Sequence, residues 1–109
     1  MDMDKLTNPI VKVAIQAMNN RERRAWFALF ADDAVLSDDG HVIDLTEWSD
    51  SELFSVIKSY LMSVDRVEDD GLSIYGKFHS DQWGEFDTFM RFQISGDKIT
   101  RLDVGQIKG

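Results

Sequence analysis

Apolar and polar positions along this chain alternate between a helical period and a strand period. Ile10, Val11, Ala14, Ile15, Ala17 and Met18 form one broad stripe at helical spacing. Asn8-Pro9 suits the start of that helix: asparagine can cap, and proline fits the first helical position, where its missing N–H costs nothing. Asn19-Asn20 interrupts the stripe, and a second helix is predicted from about Arg21 to Phe30, with Trp26, Leu29 and Phe30 at i, i+3, i+4. The short break makes the two a helical hairpin. Asp32-Asp33 then favours a turn, because short polar side chains bond their own backbone. Val35 and Leu36 open an extended segment, and Asp39-Gly40 is a two-residue hairpin signal before Val42 and Ile43. Ser49-Asp50-Ser51-Glu52 matches a capping box, predicting a third helix with Leu53, Phe54, Ile57, Tyr60 and Leu61 along one face.

Beyond Leu61 the period falls to two. Met62–Val67 is predicted as a strand ended by Glu68-Asp69-Asp70-Gly71. Leu72, Ile74 and Phe78 alternate with Ser73, Tyr75, Lys77 and His79. Phe86, Thr88, Met90, Phe92 and Ile94 alternate more clearly with Asp87, Phe89, Arg91 and Gln93. Ser95-Gly96-Asp97-Lys98 turns the chain, and Ile99–Ile107 returns it. Helices followed by consecutive antiparallel strands imply an α+β layout, with three N-terminal helices packed on one face of a curved sheet. Met1–Thr7 is polar and expected to be loose. The length of 109 residues suits a single domain over 1–109, without repeats or linkers.

Composition narrows the function. The residues are 43% hydrophobic and 11% aromatic, enough for a real core. A net charge of −8 repels a phosphate backbone, so nucleic acid is not expected as a partner. Arg21, Arg23 and Arg24 form the one basic cluster and read as a solvated helix face. No cysteine is present, which removes disulfides and thiolate metal sites. His41 and His79 lack metal-ligand spacing, and neither a phosphate loop nor a nucleophile elbow occurs, so no metal or cofactor is expected. No signal peptide or membrane-spanning run is seen, and a cytoplasmic protein without membrane contact is expected.

Two strings carry a family resemblance. Ala28-Leu29-Phe30-Ala31-Asp32-Asp33-Ala34-Val35, together with the late pair Phe86–Phe92 and Lys98–Val104, resembles the nuclear transport factor 2-like superfamily, which includes ketosteroid isomerases and SnoaL-like cyclases. The likeness runs from about Pro9 to Ile107. It implies a strongly curved antiparallel sheet that forms a cone with the helices, around an apolar pocket lined by Trp26, Phe30, Asp38, Phe54, Tyr60, Thr88, Met90 and Gln106. It also implies that Asp38 stands where ketosteroid isomerases carry an aspartate general base. A partly desolvated carboxylate can take a proton next to a carbonyl, and the resulting enolate needs hydrogen-bond donors. Aligned from the same junction, the isomerases' tyrosine donor falls on Ala14 and their protonated aspartate on Thr88. Losing one such donor costs about 10²–10³ in rate, which argues against ketosteroid isomerisation itself.

Alternatives remain at several positions. Asp38-Asp39-Gly40 is good turn chemistry without any function. His41 reads as an exposed strand residue, and His79 falls in the outward set. Trp26 reads as core, whereas Trp83 beside Gly84 suits a pocket mouth or a subunit contact. Tyr75, Phe89 and Arg91 share the outer sheet face, an aromatic centre with a charged rim, and predict a homodimer. The leading expectation is a SnoaL-like domain that binds a small apolar or carbonyl-bearing molecule, with Asp38 as general base. The rivals are a non-catalytic ligand-sensing or dimerisation module of the same fold, and a protein-docking partner using the outer face.

Overall fold

The computed structural model of the protein describes residues 3–107. Its helices are α1 (Pro9–Asn19), α2 (Arg23–Ala28) and α3 (Leu45–Glu52). Its strands are β1 (Phe30–Asp38), β2 (His41–Ile43), β3 (Ser59–Glu68), β4 (Ser73–Ser80), β5 (Gly84–Ser95) and β6 (Lys98–Gln106). The six strands form one sheet in the order β2-β1-β6-β5-β4-β3. Pairings are antiparallel except that of β1 with β6, which is parallel and closes the N-terminal half onto the end of the chain. Register shifts interrupt three pairings, β1 with β6, β3 with β4, and β5 with β6; bulges of this kind bend a sheet. The result is an α+β fold with helices on one side of a curved sheet.

Local chemistry explains the first half. The Asn8 side chain accepts from the N–H groups of Ile10 at 2.9 Å and Val11 at 3.2 Å, and Pro9 occupies the first turn of α1. The expected stripe is buried: Val11, Ala14, Ile15, Ala17 and Met18 enter the core. Arg21 ends this helix at φ +57, a left-handed conformation more often given to glycine. Its guanidinium donates to the carbonyls of Leu53, at 3.1 Å, and Ser55. Arg23 pairs with Asp50 at 2.7 Å. All three arginines of the basic cluster are exposed, as expected of a solvated face, and two of them also bond to the protein itself.

Several boundaries depart from the sequence reading. Of the stretch Met1–Thr7, Met1 and Asp2 lie outside the described residues; Met3–Lys5 form a 3-10 turn and Leu6 is buried. Strand β1 begins at Phe30 rather than Val35, with Asp32-Asp33 inside the irregular stretch between the pairs Phe30↔Ile99 and Val35↔Arg101. The third helix begins earlier than expected. Asp44, not Ser49, is its cap, accepting from Glu47 N–H at 3.0 Å, and the helix stops at Glu52. Tyr60 and Leu61 belong to β3, opposite His79 and Phe78. The Asp39-Gly40 turn has φ of +49 and +86, the left-handed pair that a tight hairpin requires.

Among the described residues, no helix is long and apolar enough to cross a membrane.

Candidate functional site

The helices and the sheet line an open cavity of about 460 Å³, within the range of about 300–1,000 Å³ common for small-molecule sites. Met18 of α1 and Leu53 line its helical side; Phe78, Phe86, Met90 and Val104 supply apolar wall from the sheet.

Asp38 reaches this cavity because β1 ends there. The turn after it is pinned to β6: Asp39 N–H donates to the Val104 carbonyl at 3.0 Å, and Asp39 Oδ1 accepts from Gln106 N–H at 3.0 Å. Gly105 leaves room for that clamp, since a Cβ there would stand 2.7 Å from Asp39 Oδ1 and from the Phe89 ring. One carboxylate oxygen of Asp38, Oδ2, accepts from the Trp48 indole N–H at 2.9 Å. Among the described residues, Oδ1 has no hydrogen-bond donor. The carboxylate is thus held in one orientation with one oxygen left over.

Helix α3 lies beside Asp38 at the cavity, in contact with it through Trp48. Trp48 and Glu52 stand at i, i+4 on one face of it and both line the hollow. Burial holds the Glu52 carboxyl above its usual range, and the charge of Asp38 adds to this; a hydrogen bond with Trp83 works in the opposite direction. Trp83 is 63% exposed and lies on the cavity wall at the start of β5. Two carboxyl groups thus face one hollow, and that of Asp38 is bonded to an indole.

Thr88 and Met90 also line the cavity, as does Gln106. The Thr88 hydroxyl donates to the Gly105 carbonyl at 2.7 Å, so its hydrogen is engaged with backbone. The remaining residues that the resemblance placed in the pocket are elsewhere. Trp26 is fully buried, with its indole N–H on Ser49 Oγ at 3.0 Å. Phe30 packs against Trp26 at a ring-centroid distance of 5.0 Å, and Phe54 meets Trp26 edge-on at 6.4 Å. These rings fill the core behind α2 instead of lining a ligand space. Tyr60 is 42% exposed, because a strand rather than a helix carries it and turns Leu61 inward in its place. His79, expected outward, is partly covered; it bonds Asp81 at 2.6 Å and lies beside Tyr60.

Glu52 and Glu85 are the cavity-lining glutamates that the sequence reading missed; it took Glu52 for a capping residue. The signal was present: Asp44-Leu45-Thr46-Glu47 is an equally good helix start, and helix from Leu45 puts Trp48 and Glu52 on one face.

No protein-family model matches the chain, and no curated protein matches it in sequence. Solved structures do match its fold. A candidate polyketide cyclase from Sinorhizobium meliloti is 20% identical, covering 95% of this chain and 99% of that one, with a TM-score of 0.70. A candidate ketosteroid isomerase from Kribbella flavida is 14% identical over 95% of this chain and 79% of that one, at a TM-score of 0.73. An epoxide hydrolase of the LEH-like type from M. tuberculosis is 15% identical over 90% of this chain and 80% of that one, at 0.67. The chain shares its fold with these proteins and with an NTF2-like protein from Cytophaga hutchinsonii, 14% identical over 90% of this chain and 87% of that one, at a TM-score of 0.69.

Proposed function

We propose that this chain binds a small apolar or carbonyl-bearing molecule in the cavity and that Asp38 acts on it as a general base. The observation that carries the reading is the Asp38 carboxylate, held by Trp48 through Oδ2 while Oδ1 has no donor among the described residues. A positioned carboxylate in a partly apolar hollow has one thing that proton abstraction needs, a fixed direction. The fold is shared with proteins whose names span cyclase, isomerase and epoxide hydrolase. Such a spread is what grafting different sites on one frame produces.

A second reading, a non-catalytic binding module, is favoured by one observation. Thr88 spends its hydroxyl on Gly105, and Ala14 offers no donor, so the oxyanion donors implied by the resemblance are lacking at both positions.

Thermal-shift screening against ketones, steroids and epoxides, on the native protein and on Asp38→Asn, separates the two. A compound that stabilises both proteins and is converted only by the native one supports the base. A compound that binds both and is converted by neither supports the module.

The homodimer belongs to the same proposal. Arg66 and Arg91 lie over the Tyr75 ring at 4.2 and 5.9 Å, and Arg91 lies 4.5 Å over Phe89, giving the outer face the aromatic and arginine character common at interfaces. Light scattering after size exclusion that returns the 12.5 kDa mass of one chain would reject it.

A further inference from the structure

The charge balance of the cavity is lopsided. Asp38, Asp39, Glu52 and Glu85 all line it, and no lysine, arginine or histidine does. Among the described residues no ion pair involves Asp38, Asp39 or Glu52; Glu85 alone has a basic neighbour, His79 Nδ1 at 3.5 Å. The donor that meets Asp38 is an indole N–H, that of Trp48, and Trp83 lines the same cavity as Glu52. Neutral dipoles orient a carboxylate without cancelling its charge. The same wall presents the rings of Trp48, Trp83, Phe78 and Phe86.

We propose that the cavity takes an organic cation, a protonated or quaternary amine, seated between Asp38 and Glu52 and against the aromatic walls. Carboxylates supply the attraction at long range, and ring faces supply it at contact while giving the ligand an apolar surface to bury. A metal ion fits less well. Among the described residues no three acidic or histidine side chains converge enough to hold one, so the negative charge is spread around the wall, as a diffuse cation prefers. The inference rests on the reading of this hollow as a ligand site and narrows it to amine-bearing compounds. Glu52 adds a consequence. Burial, and after it the charge of Asp38, shift its carboxyl above the ordinary glutamate range, and an arriving cation opposes that shift. Affinity for the cation should therefore tighten as pH rises above the ordinary glutamate range.

The test uses choline and its uncharged carbon isostere 3,3-dimethylbutan-1-ol, with benzyltrimethylammonium as a larger cation, titrated by indole fluorescence and calorimetry on the full chain. Expected is binding of at least one cation about tenfold or more tighter than the isostere. Glu52→Gln should lower cation affinity and leave the isostere unchanged. Should that variant fold poorly, Asp38→Asn and Glu85→Gln give the same reading. Equal affinity for choline and its isostere, or no binding of any cation, overturns the inference. If ketones or epoxides are nevertheless converted in an Asp38-dependent way, only the amine preference falls; if no compound of either kind shifts the melting temperature, the ligand site falls with it.

Discussion

The indole N–H of Trp26 donates to the hydroxyl of Ser49 at 3.0 Å, and neither residue has any exposed surface. This bond joins α2 to the middle of α3 and explains why Ser49 lies inside a helix that it was expected to begin. Ser49→Ala would leave a buried donor unmet, at a cost of about 1–3 kcal/mol. Asp44→Ala removes the actual cap and should cost about 0.5–2 kcal/mol. Urea unfolding of the two variants checks this. A Ser49→Ala protein as stable as the native one would show that the indole bond contributes nothing. Trp26→Phe combined with Ser49→Ala should be less costly than the sum of the single changes, because it removes donor and acceptor together.

Glu52 makes stability depend on pH in a stated direction. Its folded-state pKa is raised above the ordinary 4.5, chiefly by burial, so folding favours its protonated form. The contribution is fully present below the unfolded value and is lost as pH rises through the raised one. Glu52→Gln should therefore flatten the fall in melting temperature above about pH 4.5. A native slope unchanged by that substitution would contradict the assignment.

His79 acts in the same direction in a higher window. Its hydrogen bond to Asp81 raises its pKa above 6.5, with further support from the charges of Asp81 and Glu85. Stabilisation is complete below the unfolded value and disappears as pH climbs through the folded one. His79→Gln should abolish the part of the melting-temperature change between about pH 6 and 8, leaving that due to Glu52. Proton NMR titration of the His79 ring gives the same pKa directly; a value at or below 6.5 would refute the pairing.

Gly76 is fixed by a close crossing of strands. A Cβ there would stand 1.9 Å from the Ser63 carbonyl oxygen, backbone that cannot rotate away, beside the bulge where β3 pairs with β4. Gly76→Ala should cost about 1–3 kcal/mol or more, since the strand must move to admit the methyl. Circular dichroism and urea unfolding read this out. A variant with native stability would mean that β3 moves aside without penalty.

The pattern of the chain announced much of this architecture. The stripe of α1, the Asp39-Gly40 turn and the alternation through Thr88, Met90 and Phe92 are all present where they were expected. Such features are local: period and turn geometry depend on residues a few positions apart. The segment from Asp44 to Leu61 was misread because two capping signals, Asp44 with Glu47 and Ser49 with Glu52, are equivalent at short range. The buried partner of Trp26 and the pairing of Tyr60 with His79 decide between them, and both involve residues distant in sequence.

The site divides along the same line. By itself the sequence determined the α+β order, the turn that places Asp38 at a strand end, and an acidic chain without cysteine. Only the tertiary structure decided that Trp26, Phe30 and Phe54 fill the core, that Tyr60 faces away, and that Glu52 and Trp83 join Asp38 and Trp48 around one hollow. The reason is physical. Which elements form follows from short-range preferences, whereas which side chains converge follows from how a bent sheet and three helices share one buried volume.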